Sequence, residues 1–112
     1  MEIQHDDYQI SYDPASAALT CSGSLRLSHQ SYQPIIELLN QIADTQPDAI
    51  TIDVRQLRFL NSFGLGIITR FVMRLETQQT TLVVRGNAAF PWQKKALRTL
   101  LRLAPSLRLQ FD

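Results

Sequence analysis

The residues from 50 to 75 read ITIDVRQLRFLNSFGLGIITRFVMRL, and this stretch decides how the chain folds. At its start, β-branched residues occupy alternate positions (Ile50, Ile52 and Val54), which predicts a buried strand. At its end, apolar residues recur at the spacing of a helix. Ser62 lies between the two. A hydroxyl is therefore placed where a strand ends and a helix begins, a position at which unpaired N–H groups and the helix dipole favour a negative charge.

The composition is that of one ordinary globular domain. The chain has 112 residues, of which 45% are hydrophobic and 19% charged. A domain of this length buries roughly 60–70% of the surface of its unfolded chain. No repeat or linker interrupts the sequence, so we expect a single domain over residues 1–112. The one cysteine, Cys21, excludes an internal disulfide and a thiolate metal site, and we expect no metal ion and no cofactor.

The sequence predicts neither secretion nor membrane insertion. The first seven residues are acidic and lack the basic-then-apolar order of a secretion signal. No apolar run approaches the roughly 20 residues that a membrane helix needs. Together with the lone cysteine, these features predict a cytoplasmic protein.

Charge is distributed unevenly along the chain. The formal net charge is only +1, but residues 1–54 hold eight acids and one base, whereas residues 55–112 hold ten bases and two acids. Such asymmetry is typical of a surface that binds nucleic acid or an acidic protein. The alternative is that strands from the two halves alternate in the fold, so that the charges neutralise one another locally.

Strand and helix patterns alternate along the chain. Alternating or β-branched stretches predict strands at 8–12, 17–21, 50–54, 80–85 and 107–111, with a short extended piece at 25–27. Helical spacing predicts three helices: one that Ser28 or Ser31 caps and that ends near residue 44, one that follows Ser62, and one over 93–103. Helices that separate strands favour an α/β fold with a mixed sheet and right-handed crossovers.

The helix after Ser62 has two distinct faces. At about 100° per residue, the core side comprises Leu65, Ile68, Phe71, Val72 and Leu75, with Ile67 at its margin. The opposite side comprises Phe63, Gly66, Arg70, Met73 and Arg74. Aromatic, methionine and arginine side chains are enriched at protein interfaces, so we interpret this second side as a partner-binding surface. The alternative is that a neighbouring loop covers Phe63.

Ser62 itself allows two interpretations. Asn and Ser are favoured N-cap residues, so Asn61 and Ser62 could simply start the helix, a contribution of about 1 kcal/mol. A nucleotide-binding loop is not indicated, because Gly64 and Gly66 lack the lysine of a P-loop. The two glycines do allow a close approach to the backbone beside Ser62.

Around this junction the sequence resembles the STAS family of single-domain anti-sigma factor antagonists. The segment from Asp53 through Phe59-Leu60-Asn61-Ser62-Phe63-Gly64-Leu65-Gly66 matches the family signature in order and spacing. The Phe90-Pro-Trp-Gln and Leu-Ala-Pro-Ser-Leu segments are similar to those of small single-domain STAS regulators common in cyanobacteria. The resemblance implies a STAS-like (SpoIIAA-like) mixed β-sheet of about four to five strands, with the helices packed on one side.

The resemblance also implies a function. By position, Ser62 corresponds to the family's phosphoacceptor, which a partner serine kinase of the anti-sigma type phosphorylates and a PP2C-type phosphatase restores. This exchange switches which protein the domain binds. Two residues depart from the family pattern: Asn61 replaces an aspartate, and Phe63 replaces a serine or small residue. Both bear on which kinase acts.

Other functions are less well indicated. His5 and His29 have no acid, serine or metal-ligand spacing near them, so the sequence does not predict an enzyme. Nucleic-acid binding through Lys94, Arg98 and Arg102 on the C-terminal helix is an alternative, but no aromatic base-stacking pattern accompanies them. Small-ligand or nucleotide binding near the Ser62 loop is a further alternative.

Overall fold

A computed structural model describes all residues, 1–112. The six strands are β1 (Glu2–Gln4), β2 (Tyr8–Asp13), β3 (Ala18–Leu25), β4 (Ala49–Leu60), β5 (Thr81–Gly86) and β6 (Arg108–Phe111). The three α-helices are α1 (Gln33–Asp44), α2 (Ser62–Thr77) and α3 (Pro91–Leu103), and a 3₁₀ turn (Gln30–Tyr32) precedes α1. None of the helices is long and apolar enough to cross a membrane.

All six strands form one sheet in the order of the sequence. The pairs β1–β2 and β2–β3 are antiparallel, and β3, β4, β5 and β6 run parallel to one another. Each parallel pair is joined through one helix, and successive right-handed crossovers in one direction place all three helices on the same face. α1 accordingly contacts α2, and α2 contacts α3. The mixed sheet with helices on one side is as expected from the sequence.

The core lies between this sheet and the helices. The β-branched residues of β4 supply its centre, because Ile50, Ile52 and Val54 are each at most 2% exposed. The alternation then shifts by one residue, and Leu57 becomes the next buried position. A register irregularity between β3 and β4 accompanies this shift. One face of β4 thereby stays buried as far as Leu60, where the chain passes to the start of α2.

Several element boundaries differ from the sequence expectation. The sheet has six strands rather than four or five, because Glu2–Gln4 adds an edge strand. β3 absorbs the extended piece expected at 25–27 as far as Leu25, and β4 continues to Leu60. Neither Ser28 nor Ser31 caps α1; their hydroxyls bond each other, and the 3₁₀ turn leads directly into the helix. α3 begins earlier than residue 93, with Pro91 in its first turn.

The buried face of α2 is rotated slightly from the expected one. Phe71, Val72 and Leu75 are buried as expected, but Leu65 and Ile68 are only half-buried. Ile67, expected at the margin, is buried at 6% exposure. The cause is Gly64, which is itself buried and brings its side of the helix closest to the core.

The sheet order also bears on how charge is distributed in space. Because the strands follow one another in sequence order, strands from the acidic and basic halves of the chain do not alternate. The charges are neutralised locally at some places all the same: ion pairs join Asp44 to Arg74 and Asp53 to Arg55, and Arg58 lines the same surface depression as Asp6 and Asp7.

Candidate functional site

Ser62 occupies the first position of α2, directly after the end of β4. Asn61 is the N-cap residue, with extended backbone dihedrals and a side chain that accepts a hydrogen bond from the Gly64 N–H at 3.0 Å. Asn61, rather than Ser62, therefore supplies the capping oxygen. Ser62 is exposed, and the first N–H groups of the helix beside it have no intrahelical acceptor.

Besides the first helical bond, from the Leu65 N–H to its carbonyl, Asn61 is fixed by four hydrogen bonds. Besides capping Gly64, its Oδ1 accepts from the Tyr32 hydroxyl at 2.6 Å. Its Nδ2 donates to the Leu27 carbonyl at 3.0 Å, and its backbone N–H donates to the Leu25 carbonyl at 3.0 Å. An aspartate could not make the Nδ2 bond, so an amide suits this position. The cap is thus tied to the loop between β3 and α1.

Tyr32 was not singled out by the sequence, yet it is central to this arrangement. It is 1% exposed, and its hydroxyl lies within 3.2 Å of the Leu25 carbonyl as well as bonding Asn61. Burial raises the pKa of Tyr32, which keeps the phenol protonated as a donor. No sequence signal marks it, because its partner lies 29 positions further along the chain.

The two glycines of the motif have different environments. A Cβ on Gly64 would lie 2.6 Å from Leu60 Cδ1 and closer still to the Tyr32 hydroxyl. Gly64 is therefore required by the packing under the helix N-terminus. A Cβ on Gly66 would meet nothing within 4 Å, so Gly66 leaves an open place on the surface. The close approach expected from the sequence occurs at Gly64, and it comes from the protein's own core.

Phe63 is half-buried rather than freely exposed. Its ring meets the His29 ring edge-on, with centroids 4.1 Å apart, and lies 5.5 Å from the Tyr32 ring. The loop before α1 thus covers part of Phe63, which was the alternative left open by the sequence. His29 remains exposed, so one edge of this aromatic cluster faces solvent beside Ser62.

The remaining residues of the expected partner surface share the outward side of α2. Arg70 is exposed and Met73 is 43% exposed. Arg74 is half-buried and pairs with Asp44 at the end of α1. An open groove of about 310 Å³ runs along this side between α1 and α2. It is lined by Ile36, Leu39, Asn40, Ile67, Arg70, Phe71 and Arg74.

On the side away from β3, the end of β4 is held by side chains instead of a neighbouring strand. β5 pairs with β4 only as far as Asp53, so the later carbonyls of β4 need other donors. Gln93, which is fully buried, donates Nε2 to the Val54 and Leu57 carbonyls at 2.7 and 3.0 Å. Trp92 donates its indole N–H to the Arg58 carbonyl at 2.9 Å. The Phe-Pro-Trp-Gln segment noted in the sequence therefore anchors the strand that leads to Ser62.

Asp53, the first residue of the motif, does not approach Ser62. Its carboxylate accepts from the backbone and side chain of Arg55, the nearest contact being 2.7 Å. The hydrogen bond from Arg55 holds the pKa of Asp53 below its usual value. Arg55 also bonds Asp112 at 2.9 Å. The structure thus brings Asn61, Ser62 and Gly64 together and leaves Asp53 in an ion-pair network further down β4.

The interior offers no site of ligand size. Cys21 is buried, and desolvation raises the pKa of its thiol to about 12, which makes it unreactive. The apolar cavity that it lines has a volume of about 20 Å³, whereas ligand pockets measure roughly 300–1,000 Å³. No group of three His, Cys, Asp or Glu side chains is placed to bind a metal ion.

Comparison with solved structures finds the same fold in bacterial regulators. A chain of the crystal structure of diguanylate cyclase SiaD in complex with its activator SiaC from Pseudomonas aeruginosa matches with a TM-score of 0.75 at 14% identity, covering 100% of this chain and 99% of that chain. An anti-sigma factor antagonist from Mycobacterium paratuberculosis gives 0.70 at 19% identity, covering 94% and 88%. The Bacillus cell fate determinant SpoIIAA in its phosphorylated form gives 0.63 at 16% identity, covering 91% and 89%.

By sequence, no family model and no curated protein matches the chain. The structural likeness spans nearly the whole chain in each case, at identities of 14–19%. It establishes that the chain has the SpoIIAA-like, STAS-type fold that its sequence resembled.

Proposed function

We propose that this protein is a non-catalytic, phosphorylation-controlled interaction module in which Ser62 is the phosphoacceptor. The observation that carries the proposal is the position of Ser62, exposed at the first residue of α2 while its neighbour Asn61 caps the helix. A kinase can reach the hydroxyl without disturbing the cap. The fold shared with an anti-sigma factor antagonist and with phosphorylated SpoIIAA supports the same function.

The physical basis is that phosphate is tolerated by the domain and changes its surface. A phosphoserine carries about −1.5 to −2 charges. At the N-terminus of α2, the helix dipole and free N–H groups offset this charge by about 0.3–1 kcal/mol. A partner with an acidic or apolar docking surface would reject the same charge. Phosphorylation would therefore alter binding much more than folding.

The partner surface is the outward side of α2 around Ser62. Phe63, Gly66, Arg70, Met73 and Arg74 lie on it, and we propose that a partner contacts them in the unphosphorylated state. A serine kinase of the anti-sigma type and a PP2C-type phosphatase would set the phosphorylation state, in the cytoplasm. The downstream target is then a protein such as an anti-sigma factor or a signalling enzyme, as the names of the structural neighbours suggest.

The direct test is phosphosite mass spectrometry on the protein purified from its native cell. We expect phosphate on Ser62, with the exposed serines Ser28 and Ser31 as internal controls. Absence of phosphate from Ser62 under all growth conditions that produce the protein would refute the proposal.

A second test separates binding from folding. Ser62→Asp should weaken one co-purifying partner complex, whereas Ser62→Ala should retain it. Because Asn61 supplies the cap, the free energy of unfolding of both variants should lie within about 0.5 kcal/mol of the wild-type value. A large loss of stability in Ser62→Ala, with unchanged partner binding in Ser62→Asp, would show that the hydroxyl serves only the helix start.

The partner surface can be tested with two apolar truncations. Met73→Ala should weaken the partner complex with little change in stability, because Met73 is exposed. Phe63→Ala should reduce both partner binding and stability, because the Phe63 ring packs on Tyr32 and His29. Unchanged partner binding in both variants would place the interface elsewhere.

A further inference from the structure

The outward side of α3 is a continuous basic surface. Lys94, Lys95, Arg98 and Arg102 are all exposed, and they lie opposite the buried positions of the helix. We call these four residues the α3 basic face. Lys94, Arg98 and Arg102 are spaced four residues apart, so their Cα atoms follow one another at about 6 Å along the helix axis.

No acidic group of the protein compensates this charge. None of the four cations takes part in an ion pair, and α3 contains no acid. The two acids of residues 55–112 are engaged elsewhere: Glu76 accepts from Ser106, and Asp112 bonds Arg55 and Arg85. The remaining acids belong to residues 1–54, and none of them forms an ion pair with the four cations.

The same helix ends in an exposed apolar side chain. Leu103 follows Arg102 and is 46% exposed, one of three large apolar side chains that the protein leaves in solvent. Because successive residues of an α-helix are about 100° apart, Leu103 flanks the last cation of the row. A row of cations with an apolar side chain at its flank is suited to a polypeptide that carries both acidic and apolar side chains. Phosphate groups could pair with the cations but would leave Leu103 uncovered.

The surroundings of α3 argue against two other anionic partners. Insertion into a membrane surface needs an exposed apolar helix face, whereas Leu97 and Leu100 are buried at 3% and 1% exposure. Binding to single-stranded nucleic acid depends on aromatic side chains that stack on bases, and the α3 basic face has none.

We propose that the α3 basic face is a second docking surface, and that it takes an acidic segment of a protein partner. Acidic side chains four residues apart on a facing helix would match the spacing of Lys94, Arg98 and Arg102, with an apolar residue over Leu103. This surface is separate from the outward side of α2, so it extends the proposed function beyond the exchange of partners at Ser62.

The test measures binding of the full-length protein to a labelled helical peptide of about five turns, with glutamates at every fourth position and one terminal leucine. Fluorescence anisotropy at low salt is the readout. The triple variant Lys94→Gln, Arg98→Gln, Arg102→Gln should weaken binding about tenfold. A peptide of the same composition in scrambled order should bind several-fold more weakly than the patterned one.

A matched control neutralises three exposed cations elsewhere, Arg26→Gln, Arg58→Gln and Arg108→Gln, none of which forms an ion pair. It removes the same charge and should bind the patterned peptide as the wild type does, and thermal melting checks both variants for folding. An equal loss in the control would overturn the proposal. Tighter binding of duplex DNA or of phosphatidylserine vesicles than of the peptide, abolished by the α3 variant, would overturn it in favour of those partners.

Discussion

The Tyr32 hydroxyl donates to Asn61 Oδ1 over 2.6 Å and thereby joins the start of α1 to the N-cap of α2. The bond is shielded, since Tyr32 is 1% exposed. It fixes the residue immediately before Ser62 against the core. Ser62 is consequently presented at a hydrogen-bonded helix start and not on a loop.

Tyr32→Phe should lower the free energy of unfolding by about 1 kcal/mol, because one buried hydrogen bond is lost. The loss stays modest because Asn61 keeps its bond from the Gly64 N–H and the Leu25 carbonyl keeps its bond from the Asn61 N–H. Urea denaturation measures the change in the free energy of unfolding. Tyr12→Phe is the control: Tyr12 is also buried, but its hydroxyl bonds no other residue. Equal losses in both variants would contradict the role assigned to Tyr32.

Asn61→Asp should be less stable than the wild type at pH 7. A carboxylate at the N-cap gains about 0.3–1 kcal/mol from the helix dipole, but it removes the donor to the Leu27 carbonyl. Leaving that carbonyl beside an anionic oxygen costs about 1–3 kcal/mol, so a net loss of about 1 kcal/mol is expected. The deficit should shrink as pH falls and the carboxyl becomes protonated, because a protonated Asp can donate to the Leu27 carbonyl. Asn40→Asp, on the exposed side of α1, should show no such deficit.

Gly64→Ala and Gly66→Ala should change stability in opposite directions. The added methyl at position 64 would overlap Leu60 and the Tyr32 hydroxyl, and such overpacking costs about 1–3 kcal/mol. At position 66 the methyl meets no atom, and alanine favours the helix over glycine by about 0.5–1 kcal/mol. Thermal melting distinguishes the two, and destabilisation by Gly66→Ala would contradict the open space described at that position.

Asp53→Asn should alter how stability depends on pH. The Arg55 bonds hold the pKa of Asp53 below its usual value, so the carboxylate contributes fully above the unfolded-state pKa of about 3.9 and its contribution is lost as pH falls through the lower folded-state pKa. The variant should therefore be less stable by about 1 kcal/mol at pH 7, and the difference should narrow in acid. Asp48→Asn serves as control, since Asp48 is exposed and forms no ion pair. A difference that does not vary with pH would be inconsistent with this role.

The sequence was most informative where periodicity and a local motif coincide. The alternating residues of β4, the cap at Asn61 and the helical spacing after Ser62 together predicted the strand-to-helix junction. Successive helices between strands predicted the mixed sheet. Both were confirmed because each depends on residues close together in the chain.

What the sequence could not supply depends on contacts between distant residues. β1 has three residues, of which only Ile3 is apolar, too few for a periodic pattern. Gly64 carries no hydrophobic signal, although its burial decides which side of α2 faces the core. The bonds from Gln93 to β4 span more than 30 positions, and a glutamine at a helix start is ordinarily read as a surface residue.

The anchoring of β4 by α3 connects the two proposed surfaces mechanically. Trp92 and Gln93 bridge the first turn of α3 to β4, which ends at Leu60, two residues before the serine that we propose as phosphoacceptor. A protein held by the α3 basic face, as proposed, would therefore pull on the same strand that positions Ser62. Binding at the first surface would then bear on how readily a kinase reaches the second.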